Sequence, residues 1–530
     1  MAGSLDSRST GVHTALVLRS ESDHSLRTIS HIGAEPDFQP RARCDGALTP
    51  KRGGQAVKLK RSLGFWSAYA TSMGMVVSGT AMVAVGNGFG TGGFAFAVPA
   101  AVALLVIIMI SLSYGELASM MPGGGMIGEY TLPALGRLMA IIAVLAGYLV
   151  LVAADGGTQL IIAGDALNQL LGPPAALFSW TILALLVIVN ITGVQVFAKL
   201  QIAVSLSMMG VLGGLGLLGV LGLGTGETVD NPVLGTDWTT LAQMGAVAIW
   251  LFIGMEFVAP MAEEIKNPWR NVPLGMLFGV FTIFLVDTLF GGGLTRYVGL
   301  DELAASATPQ VLAGEAMFGS AGLLVMTGAT VLASFSTGNA ELSAVPRMLY
   351  GLANQGLLPK AFAKLHPVTR VPVVGVLFTA ALMALVLAYA SFTNTGIDLI
   401  LKLISVACVT WLVSYIIAQV DVIVLRCRYP QAQRPFKTPL YPVPQVLGIL
   451  ACIYIIIFIS PDPQDRLVIL SAAGGLLALI TLFGVFWLRR NRLPMFSPLP
   501  LDRVDDAIKD RSEPLHETPV GATETTAGTR

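Results

Sequence analysis

Apolar runs of about 20 residues recur along most of this chain, separated by short polar breaks. That is the length an α-helix needs to cross the hydrocarbon of a bilayer. The runs fall near residues 65–88, 94–120, 137–165, 174–193, 199–224, 239–262, 272–293, 320–345, 371–391, 397–425, 443–460 and 467–488. They predict an all-α polytopic membrane protein with twelve transmembrane helices in one domain over residues 61–490. The flanks read differently. Residues 1–60 are polar, with scattered Arg, Ser and Asp and no apolar core of a signal peptide. Residues 491–530 end in a Thr/Glu-rich stretch, which cannot bury a core. Both flanks are expected to be disordered cytoplasmic tails.

Composition makes lipid the solvent for most of the surface. Hydrophobic residues are 54% of the chain and charged residues only 12%, whereas a soluble domain is about a quarter charged. The 32 basic and 32 acidic residues cancel. That argues against a nucleic-acid binder, which would carry a basic face. Most of the 58 glycines lie inside apolar runs, where small residues let membrane helices approach closely. Cys44, Cys408, Cys427 and Cys452 are far apart and form no CxxC pair, so neither a disulfide framework nor a zinc site is expected. His13, His24, His31, His366 and His516 fall in tails or loops. No metal and no cofactor is expected.

Basic residues orient the helices, because they collect on the cytoplasmic side. With the N-terminus inside, only Arg296, Lys402 and Arg466 fall outside. An even number of spans then puts both ends in the cytoplasm of a multi-pass protein of the plasma, or cell inner, membrane.

A carrier must offer polar groups at mid-membrane without leaving a bare charge in lipid. Interrupted helices do this, since their freed N–H and C=O groups can bind the charged ends of a solute. The first run reads Ser72-Met73-Gly74-Met75-Val76-Val77-Ser78-Gly79-Thr80, with Gly and small hydroxyl residues at mid-span. The sixth reads Trp250-Leu251-Phe252-Ile253-Gly254-Met255-Glu256. These two spans are equivalent if spans one to five and six to ten are inverted repeats. Backbone N–H groups near Gly79 are candidates for a carboxylate. Carbonyls near Leu251 and Ile253 are candidates for an ammonium. Simple packing by small residues is the competing reading of each break.

Three motifs then carry a resemblance. Ser113-Tyr114-Gly115-Glu116-Leu117-Ala118-Ser119-Met120-Met121-Pro122-Gly123-Gly124-Gly125 resembles the end of span two in the amino acid–polyamine–organocation (APC) superfamily of permeases. Residues 250–273, with Ala262-Glu263-Glu264-Ile265-Lys266-Asn267-Pro268, resemble that family's span six and the loop after it. Residues 346–367, from Pro346-Arg347-Met348-Leu349-Tyr350 to His366-Pro367, resemble its segment after span eight. The likeness covers roughly residues 58–490. Leu59-Lys60-Arg61-Ser62-Leu63-Gly64-Phe65-Trp66 and the Ser78-Gly79 pair lean toward the ethanolamine-permease and amino acid permease branch.

The resemblance implies a LeuT-like fold of five plus five inverted helices with two more at the C-terminal end. It implies a central site between spans one, three, six, eight and ten. Trp250 matches the aromatic residue that covers and gates the solute, and Glu256 matches a carboxylate linked to proton sensing in several members. Two positions depart from the family. Its usual Gly-Ser/Thr-Gly in span one is Ser78-Gly79-Thr80 here, and Met208 stands near the place of a span-five Lys that replaces sodium in some members.

Ionisable groups at membrane depth are costly and therefore functional suspects. Asp155 is mid-span in Ala153-Ala154-Asp155-Gly156-Gly157, with no basic partner in its span. It reads as an amine-binding or proton-carrying residue, or else as a protonated, hydrogen-bonded core acid. Glu256 reads as a gate or proton residue, or as a helix pin. Glu116 is expected to cap a helix or bridge to a loop Arg, Glu341 to pair with a loop base, and Asp421 to sit at the rim beside Arg426. Asp287 looks less central. Ser334, Ser336 and Thr337, with Asn339, are candidates for ion or solute contact, or hydroxyls bonded back to their own helix.

The expected function is secondary active transport of an amino acid or related small amine by alternating access, proton-coupled or by exchange. The substrate-binding set is Val77, Ser78, Gly79, Thr80, Asp155, Trp250, Leu251, Ile253 and Gly254; Trp250, Glu256 and Asp155 are the gate or proton-coupling set. No GxxxxGK[S/T] loop is present to bind ATP. No nucleophile–base pair or metal cluster in the spans points to an enzyme. The alternative is a transporter-like nutrient sensor that binds without moving solute. The expected partners are the solute, the bilayer and a coupling proton; the sequence leaves the oligomeric state open.

Overall fold

In lipid a backbone must satisfy its own N–H and C=O groups, and a helix does so within one segment. The computed structural model describes residues 63–192, 197–262, 264–393, 397–502 and 504, and most of them are helical. The rest of both tails lies outside the described residues, with Cys44, His13, His24, His31 and His516, as do Leu59 to Ser62 of the opening motif.

The first apolar run holds two short helices, α1 (Phe65–Val76) and α2 (Gly79–Gly92). Gly93, at φ 62, turns the chain into α3 (Ala97–Met120). A short buried helix, α4 (Ile127–Ala134), precedes a long one whose ends are α5 (Arg137–Val144) and α6 (Gly157–Leu171). Two π turns, Leu145–Leu149 and Val152–Gly156, lie between those ends. Next come α7 (Ala175–Thr192) and α8 (Phe197–Leu221).

The sixth run is again broken, into α9 (Trp238–Gln243), α10 (Gly245–Trp250) and a 3₁₀ segment, Met255–Met261. Asp237 caps α9, accepting from the N–H groups and hydroxyls of Thr239 and Thr240. Those donors hold its carboxyl below the usual range. After α11 (Pro268–Tyr297) and α12 (Leu300–Ala305) comes α13 (Pro309–Asn354), bent at Phe318 and Gly319. The remainder is α14 (Val373–Thr393), α15 (Ile397–Arg428), α16 (Val443–Ile457) and α17 (Pro463–Arg490).

Among the described residues, nine helices are long and apolar enough to cross a membrane, and Gly245–Met261 and Val443–Ile457 are shorter apolar helices. Fewer long helices than apolar runs result because the first and sixth runs are broken, what remains of the first being counted with the second as Gly79–Met120, and because the helix of the eleventh, Val443–Ile457, is short.

Small residues set the closest packing. A Cβ on Gly216 of α8 would stand 2.5 Å from the Phe290 backbone of α11, and one on Gly219 would stand 2.7 Å from the Gly293 Cα. Only glycine permits that approach, which gives van der Waals contact where lipid offers no hydrophobic drive. Large apolar side chains face outward: Leu105 on α3, Phe278 and Phe281 on α11, Leu324 on α13, Leu385 on α14 and Leu482 on α17. In water such a surface would aggregate; against acyl chains it is the expected one.

Polar side chains knit the helix ends. Glu116 on α3 is 1% exposed and accepts from Arg426 Nε (2.8 Å), Arg426 Nη2 (2.6 Å) and the Thr438 N–H (2.8 Å). Arg434 stands 3.4 Å from the same carboxylate. Arg426 also lies 4.2 Å over the Tyr441 ring. Glu116 therefore bridges to Arg426 and fixes the segment between α15 and α16. Asp421 is placed otherwise than expected: its carboxylate accepts from Thr131 on α4 (2.6 Å), because its helix face turns inward, away from Arg426. After α17 the chain returns over α4 and α5, with Met495 O accepting from the Leu138 N–H and Leu132 O from the Leu499 N–H.

Arg426→Ala would leave the buried Glu116 charge with poorer compensation. Breaking a buried pair costs roughly 3–5 kcal/mol, so the melting temperature of the purified protein should fall clearly. A melting curve identical to the parent's would refute this tie.

Candidate functional site

The break in the first span is short and chemically compensated. Val77 (φ −76, ψ 89) and Ser78 (φ −128, ψ 161) leave helical geometry. Ser78 then caps α2, its hydroxyl accepting from the Ala81 N–H at 3.0 Å. A serine N-cap supplies the acceptor that a helix start lacks. The Gly79 N–H donates to Gln159 Oε1 on α6 at 2.9 Å. A Cβ on Gly79 would stand 2.4 Å from Ser334 Oγ and 2.9 Å from Gln159 Oε1, so glycine alone fits.

The break in the sixth span is a turn from Leu251 to Gly254. Phe252 N–H donates to Ile249 O and Ile253 N–H to Trp250 O; Phe257 N–H donates to Gly254 O. None of these bonds ends on the carbonyls of Leu251 or Ile253. Gly254 has φ 105, which a side chain rarely adopts. A Cβ there would also stand 2.8 Å from Met75 Cγ in the first span. The two breaks are thus in direct contact. Ser72 Oγ strengthens the contact by donating to Met255 O at 3.0 Å.

The two π turns between α5 and α6 reorient the third span at this depth. Asp155, in the second turn, is 4% exposed. Thr80 Oγ1 donates to its Oδ1 at 2.7 Å, and Gln159 Nε2 lies 3.2 Å from its Oδ2. Gln159 Nε2 also donates to Thr80 Oγ1 at 2.9 Å, and Ser78 Oγ lies 3.0 Å from Thr80 Oγ1. One polar network therefore joins the first break to the third span.

A cavity lies between these elements. Of the expected residues, Ser78, Thr80, Asp155, Trp250 and Ile253 line it, and Met75, Val76, Leu151 and Trp411 complete the wall. Its volume is ≈ 10 Å³, on a scale where one water needs about 10–15 Å³. Val77, Gly79, Leu251 and Gly254 shape the turns behind the lining.

Glu256 lies behind the wall, fully buried. It accepts from Trp411 Nε1 (2.9 Å) and Tyr148 Oη (3.1 Å) at Oε1, and from Tyr415 Oη (2.8 Å) at Oε2. Tyr148 and Tyr114 hydroxyls pair at 3.0 Å. Three donors from the third and tenth spans thus converge on one carboxylate of the sixth, and Trp411 is oriented by it.

Ser334, Ser336 and Thr337 all lie buried on α13 and are not among the cavity-lining residues. Ser334 faces Gly79. Glu341 is also fully buried, one turn beyond Thr337, and it faces the third span rather than a loop. The expected loop base is not its partner: an Oε2 atom comes within 2.7 Å of where a Cβ on Gly156 would be. The sequence reading also missed Gln159, Trp411, Tyr148 and Tyr415. Gln159 had one signal, its position one helical turn after Asp155, on the same face.

Two interrupted helices meeting at a small, polar, buried cavity define the class of fold used by membrane transporters. Solved structures agree. The chain shares its fold with a nucleobase-cation-symport-1 family transporter in a closed conformation with bromovinylhydantoin bound. That likeness has a TM-score of 0.51 and 17% identity, over 87% of this chain and 99% of the other. A mutant manganese transporter of Eremococcus coleocola gives a TM-score of 0.54 and 13% identity, over 82% and 98%.

The sequence places it further. A family profile described as amino acid permease matches residues 63–486. The chain belongs to that family, within the amino acid–polyamine–organocation superfamily. Among curated relatives, the branched-chain amino acid permease BcaP of Bacillus subtilis is 26% identical over 430 residues, 75% of this chain and 88% of the relative. The serine/threonine exchanger SteT of the same species is 24% identical over 300 residues, 55% of this chain and 64% of the relative.

Glu256→Gln should destabilise the protein. An amide nitrogen would face hydroxyl or indole donors where an oxygen now accepts, and a buried polar mismatch costs about 1–3 kcal/mol. The expected signs are a lower melting temperature and altered tryptophan fluorescence from Trp411. Parent-like values of both would show that the three donors do not depend on the charge.

Proposed function

We propose that this permease is a secondary active transporter of an amino acid or related small amine, working by alternating access in the plasma membrane. The meeting of two broken helices at one buried polar cavity carries this reading. Membership of the amino acid permease family supports the solute class, and so do the amino acids named for BcaP and SteT.

In this reading the chain makes twelve spans. α1 with α2 is the first, and α9, α10 and the 3₁₀ segment are the sixth. Spans one to five and six to ten form inverted repeats, and α16 and α17 are additions. Both chain ends are cytoplasmic, since Arg296, Lys402 and Arg466 are the basic residues on the opposite face.

The solute's polar ends are divided between the breaks. Carbonyls of Leu251 and Ile253, beside Gly254, accept the ammonium. The Val77–Thr80 turn holds the carboxylate or other polar end, with Gly79 N–H exchanging Gln159 for the solute. Asp155 is the one ionisable residue among those lining the cavity, which suits an amine or a coupling proton. The apolar wall of Met75, Val76, Leu151 and Ile253 suits a solute with an apolar side chain.

A cavity of ≈ 10 Å³ is far too small for an amino acid, so entry requires the wall to move. Trp250, 4% exposed at the end of α10 and next to the Leu251 turn, is the gate. Glu256 and its three donors hold the other wall, Trp411, while it moves. Ser334, Ser336 and Thr337 contact a coupling ion or the solute during the cycle.

Trp250→Ala should lower uptake of a radiolabelled amino-acid mixture into proteoliposomes by at least roughly tenfold, about 1.4 kcal/mol on the limiting step. The variant should keep its helical circular dichroism. Normal uptake would refute the gate. Asp155→Asn should change either the apparent affinity or the pH dependence of uptake; if it alters neither, the ionic role is wrong.

A further inference from the structure

Glu341 is the buried acid of α13, and it is not among the residues lining the solute cavity. It is fully buried, and neither carboxylate oxygen meets a hydrogen-bond donor among the described residues. Its side chain reaches the π turn that carries Asp155: Oε2 stands 2.7 Å from where a Cβ on Gly156, the next residue, would be, which brings the two carboxyls within interacting range. Two ionised carboxylates are both acceptors and cannot bond each other. Two buried carboxyls this near each other are accommodated when a proton is shared between them.

Two further polar atoms beside it are also unpartnered among the described residues. Thr337 Oγ1 and Ser334 Oγ are buried on α13 without a hydrogen-bond partner. Ser334, Thr337 and Glu341 are spaced three and four residues apart, so they share one helix face. That face turns toward Gly79 at the first break and Gly156 in the π turn.

Among the described residues no cation is paired with either carboxyl. Around Glu341 the packed elements are the π turn, α7 through Leu186 and α14 through Met383. α7 carries no titratable group, and α14 carries Tyr389 alone, exposed at its far end. Further along, α6 brings Asp165, α4 brings Glu129 and Tyr130, and α1 brings Tyr69. α11 brings Arg270, Asp287, Arg296 and Tyr297, α5 brings Arg137, α12 brings Asp301 and Glu302, α8 brings Lys199, the Lys360–Ala363 turn brings Lys360, and α15 brings Asp398, Lys402, Tyr415, Asp421, Arg426 and Arg428. On α13 itself Glu315 and Arg347 are exposed. Asp165 is ten residues from Asp155, and Glu129 lies beside Gly351, ten residues beyond Glu341. Ten residues of helix are about 15 Å.

We infer that Asp155 and Glu341 form a proton-binding site in which one proton is shared between the third and eighth spans. A proton from solvent bonds to an oxygen of one carboxyl and is accepted by the other, leaving a single negative charge on the pair. Thr80 and Gln159 donate to the Asp155 side and would hold that charge. On deprotonation the two carboxylates repel and the third and eighth spans lose their tie beside the first break. Its use as the coupling proton rests on the proposed carrier function; its presence does not.

Infrared difference spectroscopy of the purified full chain in lipid, titrated from acid to alkaline pH without added solute, tests the site. The expected result is a protonated-carboxyl C=O band that is lost in Glu341→Gln, shifts in Asp155→Asn, and is the same in choline and sodium chloride. A band untouched by both substitutions would overturn the assignment. So would a band discharged by sodium at constant pH, which would make this a metal-cation site. If Glu341→Gln does not fold, Glu341→Asp decides: a displaced band supports the shared proton, and an unmoved one overturns it. Failure of the parent protein to take up amino acids would instead sink the carrier reading while leaving the band intact.

Discussion

Backbone polar groups released from a helix inside a membrane have no water to turn to, and this constraint shapes the centre of the molecule. Each unsatisfied group costs about 1–3 kcal/mol or more. The first break survives because Ser78 accepts from the Ala81 N–H and Gln159 from the Gly79 N–H. The second survives because its turn closes on itself through Trp250 and Gly254, and because Ser72 donates to the Met255 carbonyl. The side chains among these replacements can exchange partners with a solute more easily than a helix can unwind. An interrupted helix that is already compensated is therefore poised for binding at small cost.

Packing then decides where the breaks stand. Gly254 admits Met75, and Gly79 admits Ser334 and Gln159. These contacts place the breaks of spans one and six back to back, with span eight alongside. The third span fits only because its π turns shift Asp155 into line with Thr80. Extra residues in a helical turn are a recognised feature of functional sites. Behind this layer Glu256 collects Tyr148, Trp411 and Tyr415. One buried carboxylate with three donors fixes a wall of the cavity, whereas Trp250 on the opposite side makes no such bond among the described residues. The asymmetry between a pinned wall and an unpinned one is what a gate needs.

Much of this was legible in residue order, and the rest was not for a physical reason. Helix limits follow from the length of apolar runs, and both breaks follow from Gly and small hydroxyl residues at mid-span. Ser78, Thr80, Asp155, Trp250 and Ile253 were read from the chain and stand at the cavity. Facing was not readable. Helices that are apolar on every side show no stripe to orient them, so Trp411, Tyr415 and Gln159 gave little sign of pointing inward. The π turns left no signal beyond neighbouring glycines, and α4 falls between two predicted spans. Glu341 was assigned a loop base because bases crowd the nearby segment. Its inward face emerges only when α13 is set against the third span.

Charge accounting bears on what the site would accept under the proposed function. Among the residues lining the cavity there is one acid and no base, and the next acid on α13 also lacks a basic partner. A buried carboxylate persists only if paired, hydrogen-bonded or protonated. Thr80 and Gln159 supply part of the compensation for Asp155; the remainder must be positive and must come from outside the protein. A proton answers that need when the cavity is closed, and an ammonium group answers it when the wall moves aside. The two guests compete for one negative charge beside the first break, so binding of either bears on the other. In the proposed function, coupling between a proton gradient and an amine solute would need no further device than this shared debt of charge and a wall that opens to one side at a time.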